Sequence, residues 1–405
     1  MNIQVTRVET PAERKLVDEF ARIAAALPGG GFARQRETAF ARFAAQGLPH
    51  RRIEEWKYTD LRSRLREMPD AAAVSVEIPA SADGVAVTPL AGALDDAALA
   101  GRIAERFTGF ESPMLDLNEA FLSGGVAVDV ADEASPEAPV RSHFASPGGK
   151  RGDSAALYTV GKGARVTLVE TVSAAGEGAF CGHVAHLDIA EGAEVTFVRH
   201  VDAGAGGVHS GGLAVTVGAD VKLNLLIVVS SGDIIRTDLG VRLVGEGTDA
   251  NLRGLHLGGG KRHIDTTMFV DHAVPACTSR ELFKSVLDDE ARSVFQGKIL
   301  VRPDAQKTDG KMMAQALMLS DRAEADSKPE LEIYADDVQC GHGSTTGRID
   351  DTLLFYLMAR GIPRKEAQAM LVAAFVNEVF DGFDEDLAGE FGAVAEAWLK
   401  RHTEA

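Results

Sequence analysis

Three short stretches of this chain place thiols and imidazoles close enough to share a ligand. Cys340 and His342 lie in CGHGSTTGRIDD, Cys181, His183 and His186 lie in CGHVAH, and Cys277 follows His272 by five residues. On a strand, residues two apart point to the same face, so Cys181 with His183, and Cys340 with His342, each present sulfur beside nitrogen. Thiolate and imidazole suit zinc, iron or an iron–sulfur cluster. Two ligands do not complete a site, and a second chain would have to supply the rest. The competing reading for each pair is a buried thiol beside a hydrogen-bonded histidine.

Other chemistry is not encoded in recognisable form. The sequence has no GxxxxGK[ST], GxSxG, HExxH or pair of CxxC motifs, so phosphate cradling, a nucleophile elbow and a zincin site are not indicated. Gly258, Gly259 and Gly260 lack the strand and helix context of a dinucleotide site and read as a turn. The 42 basic and 60 acidic residues give a net charge of −18, which repels nucleic acid and anionic lipid. No run of about 18 apolar residues and no signal-peptide pattern occurs, so a cytoplasmic chain without membrane spans is expected. Three cysteines and no glycosylation sequon argue against a disulfide framework.

The elements that must position these residues fall into three textures, with expected boundaries at 1–122, 123–348 and 349–405. The first is mainly helical: 11–27 and 33–48 carry apolar residues at helical spacing. Between residues 34 and 66, nine basic side chains face four acidic ones, around Trp56. That excess reads either as a solvated face or as a docking surface for an acidic partner. From residue 123 short apolar runs alternate with Gly, Asp and Ala. A Gly-Ala step followed by a strand recurs at Ala164, Ala193 and Ala219, with a fourth copy at Ala250, and each copy follows another strand. The spacings are 29, 26 and 31 residues, followed by 41 before EARSVFQG near Ala291, where HAVPACTS reads as an inserted loop. A drifting period of this size predicts a parallel β-helix, with an antiparallel sandwich as the rival. From Ile349 three helices close the chain, with Asp350 as N-cap, Gly361 as a stop and Pro363 opening the second. Met370, Leu371, Ala374, Phe375, Glu378 and Val379 form a wide stripe whose surplus is a partner surface.

Two stretches carry a family resemblance. The segment from DAQKTDGKMMAQ at 304 through CGHGSTTGRIDD to AAFVNEVF at 380, and EEWKYTDLR at 54–62, resemble the SufB/SufD family of iron–sulfur cluster assembly proteins, in its shorter branch. The resemblance implies a mainly β chain: a right-handed parallel β-helix between helical ends. It also implies a non-catalytic scaffold that pairs with a SufB-like subunit through the β-helix and binds a SufC-like ABC ATPase through the C-terminal helices. In that reading His342, with Cys340 as its weaker neighbour, meets a transient cluster or iron shared with SufB. Asp350, Leu354, Tyr356, Met370, Leu371, Phe375 and Glu378 are the expected partner contacts. A homodimer in isolation and a flavin in the complex stay open, the latter without a readable motif. The alternative is a carbohydrate-active β-helix enzyme, a lyase or hydrolase on the same architecture.

Overall fold

The computed structural model describes residues 8–78, 82–103 and 112–403. From Gly124 onward successive strands alternate between two nine-stranded sheets, so each coil contributes one strand to each sheet and the chain winds into a parallel β-solenoid of about eight turns. Arg165, Glu194, Lys222, Asp249, Thr278, Asp309 and Gln339 stack in register, so one coil takes 27 to 31 residues. Two residues before each of these strand starts, up to Asp309, the backbone is left-handed: Gly163, Gly192, Asp220, Gly247, Ala276 and Lys307 all have φ between 53° and 75°. A corner that needs this conformation favours glycine. The next residue turns inward, as buried Ala164, Ala193, Val221, Thr248 and Cys277 do. This is the physical content of the Gly-Ala step.

The register corrects the repeat in detail. At the third corner Asp220 takes the left-handed place, so the stack passes through Val221 and then Thr248; Ala219 and Ala250 each lie two residues away from it. EARSVFQG opens the strand Arg292–Val301, which pairs with His263–His272 in the opposite sheet. The apparent 41-residue step therefore compared strands of different sheets, and HAVPACTS is an ordinary corner.

The coil interior is mainly Val, Leu, Ile and Phe, with a buried polar knot near its N-terminal end. Glu170 accepts hydrogen bonds from Arg199 Nε at 2.5 Å and the Tyr158 hydroxyl at 3.1 Å, and His183 Nε2 lies 3.1 Å away. Burial would raise the Glu170 carboxyl, but Arg199 and His183 outweigh it and hold the group at about 2.

The N-terminal region is less helical than its sequence predicts. Helices Pro11–Ile23 and Ala33–Gln46 form as expected, but Ser75–Glu77 and Val85–Pro89 are strands, each pairing antiparallel with the first coil strand of one sheet. They close the solenoid at that end. The region lies on the outer face of one sheet, held by two buried arginines. Arg151 sits 3.9 Å from the Phe121 ring centroid and pairs with Glu19 and Asp153 at 3.1 and 2.9 Å. Arg236 sits 4.4 Å from the Trp56 ring and pairs with Asp238 and Asp265 at 2.8 and 2.7 Å. The Thr59 hydroxyl joins the second cluster through Asp265 and through His263 Nε2 at 2.8 Å. At the other end, helices Asp351–Ala359, Arg364–Asn377 and Glu385–Thr403 follow the last strand. Val372, Val376, Phe391 and Trp398 cover an outward apolar stripe of the other sheet, formed by Val198, Leu226, Leu255 and Val286.

Arg236→Ala would strand two buried carboxylates. The expected loss is about 3–5 kcal/mol of unfolding free energy, read from urea denaturation, with amide exchange accelerating first around Trp56.

Candidate functional site

The two ends of the solenoid differ. The strands at the C-terminal end, Gln339–Gly347 in one sheet and Glu324–Ile333 in the other, are each last in their sheet and bonded on one side only. Unpaired edges are templates for another chain unless they are protected. Glu324–Ile333 is protected by Glu324, Asp326, Lys328, Glu330, Glu332 and a mid-strand Pro329. Gln339–Gly347 has no charge and no proline. It is a bare edge.

Cys340 and His342 stand on this strand, opposite Gly310 and Met312 of the coil below. Both share the inward face, at the mouth of the core. Cys340 is half-buried against the core cluster, and burial raises its thiol pKa. His342 is exposed and makes no hydrogen bond or ion pair among the described residues. The two side chains thus share a face, as the two-residue spacing predicts. No group of three or more His, Cys, Asp or Glu side chains among the described residues is arranged to hold a metal ion.

The other sulfur–nitrogen pairs are structural. His183 is fully buried, held by Glu170 and by Ser154 Oγ at 2.8 Å from Nδ1. The Cys181 thiol donates to the Ser173 carbonyl at 3.4 Å, and burial pushes it up to about 11. Cys277 donates to the Gly245 carbonyl at 3.3 Å, while His272 Nε2 lies 2.9 Å from Ser279 Oγ. All three cysteines are free.

Sequence reasoning missed Glu281. It lies two coils below His342 on the same inward column, with Met312 between them. Glu281 is 2% exposed, and neither carboxyl oxygen has a hydrogen-bond partner among the described residues. Burial pushes its carboxyl up to about 7. The only signal was a glutamate at an inward position of ELFKSV, which becomes legible once the register is known.

The C-terminal helices sort the expected partner contacts. Tyr356 and Met370 are exposed at 54% and 47%. Leu354 is a correction: it is 3% exposed and packs beneath its helix. Phe375 and Glu378 are also turned toward the solenoid, where buried Lys284 lies 4.2 Å from the Phe375 ring, bonds its carbonyl at 2.9 Å and pairs with Glu378. Leu371 is half-buried, and Asp350 is the N-cap, accepting from the Thr352 and Leu353 amides. Leu353, Phe355 and Met358 are exposed and were not singled out. The unbroken apolar run from Leu353 to Met358 was their signal, since one helix face cannot bury all of it.

Fold and site together define the class: a parallel β-solenoid with an open rim that carries a thiol and an imidazole. Residues 150–375 match the family described as SUF system FeS cluster assembly, SufBD core domain, and residues 23–85 match the SufBD protein N-terminal region. The chain belongs to the SufBD family of iron–sulfur cluster assembly proteins. It is similar to the iron–sulfur cluster assembly protein SufD of Escherichia coli (strain K12), 34% identical over 259 residues that cover 64% of this chain and 54% of that protein. SufD of Bacillus subtilis (strain 168) is 32% identical over 163 residues, 40% of this chain and 37% of that protein. A SufBD family protein of Synechocystis is 26% identical over 381 residues, 82% of this chain and 83% of that protein. The match to the E. coli protein thus spans about half of that protein's length. Family membership replaces the carbohydrate-active reading. No helix among the described residues is long and apolar enough to cross a membrane.

Glu281 tests the buried interior. Its folded pKa lies above the usual carboxylate value, so the folded chain binds the extra proton and stability falls as pH rises from about 4.3 to about 7. Glu281→Gln is expected to be more stable than the parent above pH 7, by up to about 4 kcal/mol. The gap should close below pH 4, as read from denaturant midpoints across pH.

Proposed function

We propose that this chain is a scaffold subunit of an iron–sulfur cluster assembly complex, working in the cytoplasm. A second SufBD-type subunit, SufB-like, pairs with the bare edge Gln339–Gly347, and a SufC-like ABC ATPase docks on the C-terminal helices. The observation that carries this reading is an unpaired sheet edge bearing an imidazole with no partner among the described residues. His342, with Cys340 beside it, offers nitrogen and sulfur to a cluster or iron whose remaining ligands come from the paired subunit. The nascent cluster is cargo, and a mixed, incomplete ligand set releases cargo more readily than four thiolates would. The chain's similarity to the iron–sulfur cluster assembly proteins SufD of E. coli and B. subtilis supports this reading.

The ATPase contact rests on Leu353, Phe355, Tyr356, Met358 and Met370, which are too large and too exposed for a free surface. ATP hydrolysis belongs to that partner, consistent with the absent phosphate loop.

His342→Ala in the co-purified complex is expected to leave assembly of the subunits intact and to abolish the cluster absorbance after anaerobic reconstitution with iron and sulfide; normal cluster formation would refute the site. Phe355→Ser with Tyr356→Ser is expected to weaken ATPase binding by about tenfold or more, as for loss of interface anchors, with the solenoid's melting temperature unchanged.

A further inference from the structure

The cationic stretch singled out in the sequence has no place in the proposed cluster site, and its structure is distinctive. Residues 50–66 form a loop that doubles back on itself: the Arg62 amide donates to the Pro49 carbonyl at 3.0 Å and the Ile53 amide to the His50 carbonyl at 2.9 Å. The inner side of the loop is fixed to the solenoid. Trp56 is buried over Arg236, Thr59 bonds Asp265 and His263, and Leu61 is fully buried. The Glu55 carbonyl accepts from Gln296, and Glu54 pairs with Lys328 at 2.6 Å.

The outer side is a set of cations. Arg51, Arg52, Lys57, Arg64 and Arg66 are exposed, and none has an ion-pair partner among the described residues. The acids of the loop are otherwise engaged or recessed: Glu54 is held by Lys328, Asp60 caps the Ser63 amide, and Glu55 is half-buried. Elsewhere surface cations commonly pair, as Arg141 does with Glu390, Lys150 with Asp70 and Arg302 with Asp271. In a chain with 60 acidic residues against 42 basic ones, an anchored loop whose six basic side chains outnumber its three acidic ones, with five of the six unpaired among the described residues, stands out.

We propose that residues 50–66 are a docking surface for an acidic segment of a partner protein. Two arguments select that occupant. At about 0.1 M salt the screening length is about 10 Å, so a segment touching the loop senses its local cation excess, which Glu54, Glu55 and Asp60 offset only in part, more than the distant acidic excess. A duplex nucleic acid carries a phosphate charge about every 1.7 Å along a stiff axis and would run beyond the loop across surface of its own sign. The anchoring of Trp56 and Thr59 holds the cations in place before the partner arrives, which lowers the ordering cost of binding.

The experiment uses the full chain and a fluorescently labelled short polyglutamate peptide at about 0.1 M salt, read by anisotropy. Saturable binding is expected. Reversal of Arg51, Arg52, Arg64 and Arg66 to Glu should weaken it by about tenfold or more, while Lys162→Glu, in a distant corner, leaves it unchanged. If the reversal disturbs the far-ultraviolet circular dichroism, the same four positions changed to Gln give the reading. Absence of saturable binding, equal loss with Lys162→Glu, or displacement of the peptide by duplex DNA at equal charge would overturn the proposal. His342 plays no part in this assay, so its outcome is independent of the cluster-site reading.

Discussion

A strand in this solenoid has its backbone satisfied only by the coils above and below it, and that requirement shapes everything else. Within the stack it is met by register: seven strand starts lie over one another in one sheet, and side chains at matched positions pile into continuous columns. At the N-terminal end it is met by two added antiparallel strands. At the C-terminal end nothing among the described residues meets it. One edge is shielded by charge and by Pro329, and the other, Gln339–Gly347, is left bare with Cys340 and His342 on its inward face. The site is therefore a consequence of how the stack stops.

Lateral packing follows the same division. One sheet's outer face carries buried arginines clamped between carboxylates and aromatic rings, and these fasten the N-terminal helices and the 50–66 loop. Such pairs are costly to desolvate and fix geometry more than they add stability. The other sheet's outer face is apolar and accepts the C-terminal helices, leaving their far side exposed. Two attachment chemistries thus give one rigid platform and one surface with unburied apolar side chains.

Much of this was legible in the residues. Alternating apolar runs gave the strands, and the Gly-Ala corners gave the coil, because a left-handed residue followed by a small inward one is what the turn demands. The register was not legible where Asp220 replaced glycine, since the cue was a residue type and the constraint is a backbone angle. Cys340 and His342 were legible as a same-face pair; that this face lies at an open end depends on which coil is last. Leu354 and Phe355 show the remaining gap. Adjacent apolar residues on one helix look alike in sequence, yet one is buried and the other 72% exposed, because only packing against the sheet decides the face.

The most direct measurement of the central claim is amide hydrogen exchange across Gln339–Gly347, comparing the dilute chain alone with the chain mixed with the proposed SufB-type partner. An open edge predicts that the outward-pointing amides exchange rapidly in the chain alone and become strongly protected on pairing, while amides of the inner coils stay unchanged. Protection already present in the chain alone, or an edge that still exchanges freely in the mixture, would contradict the account.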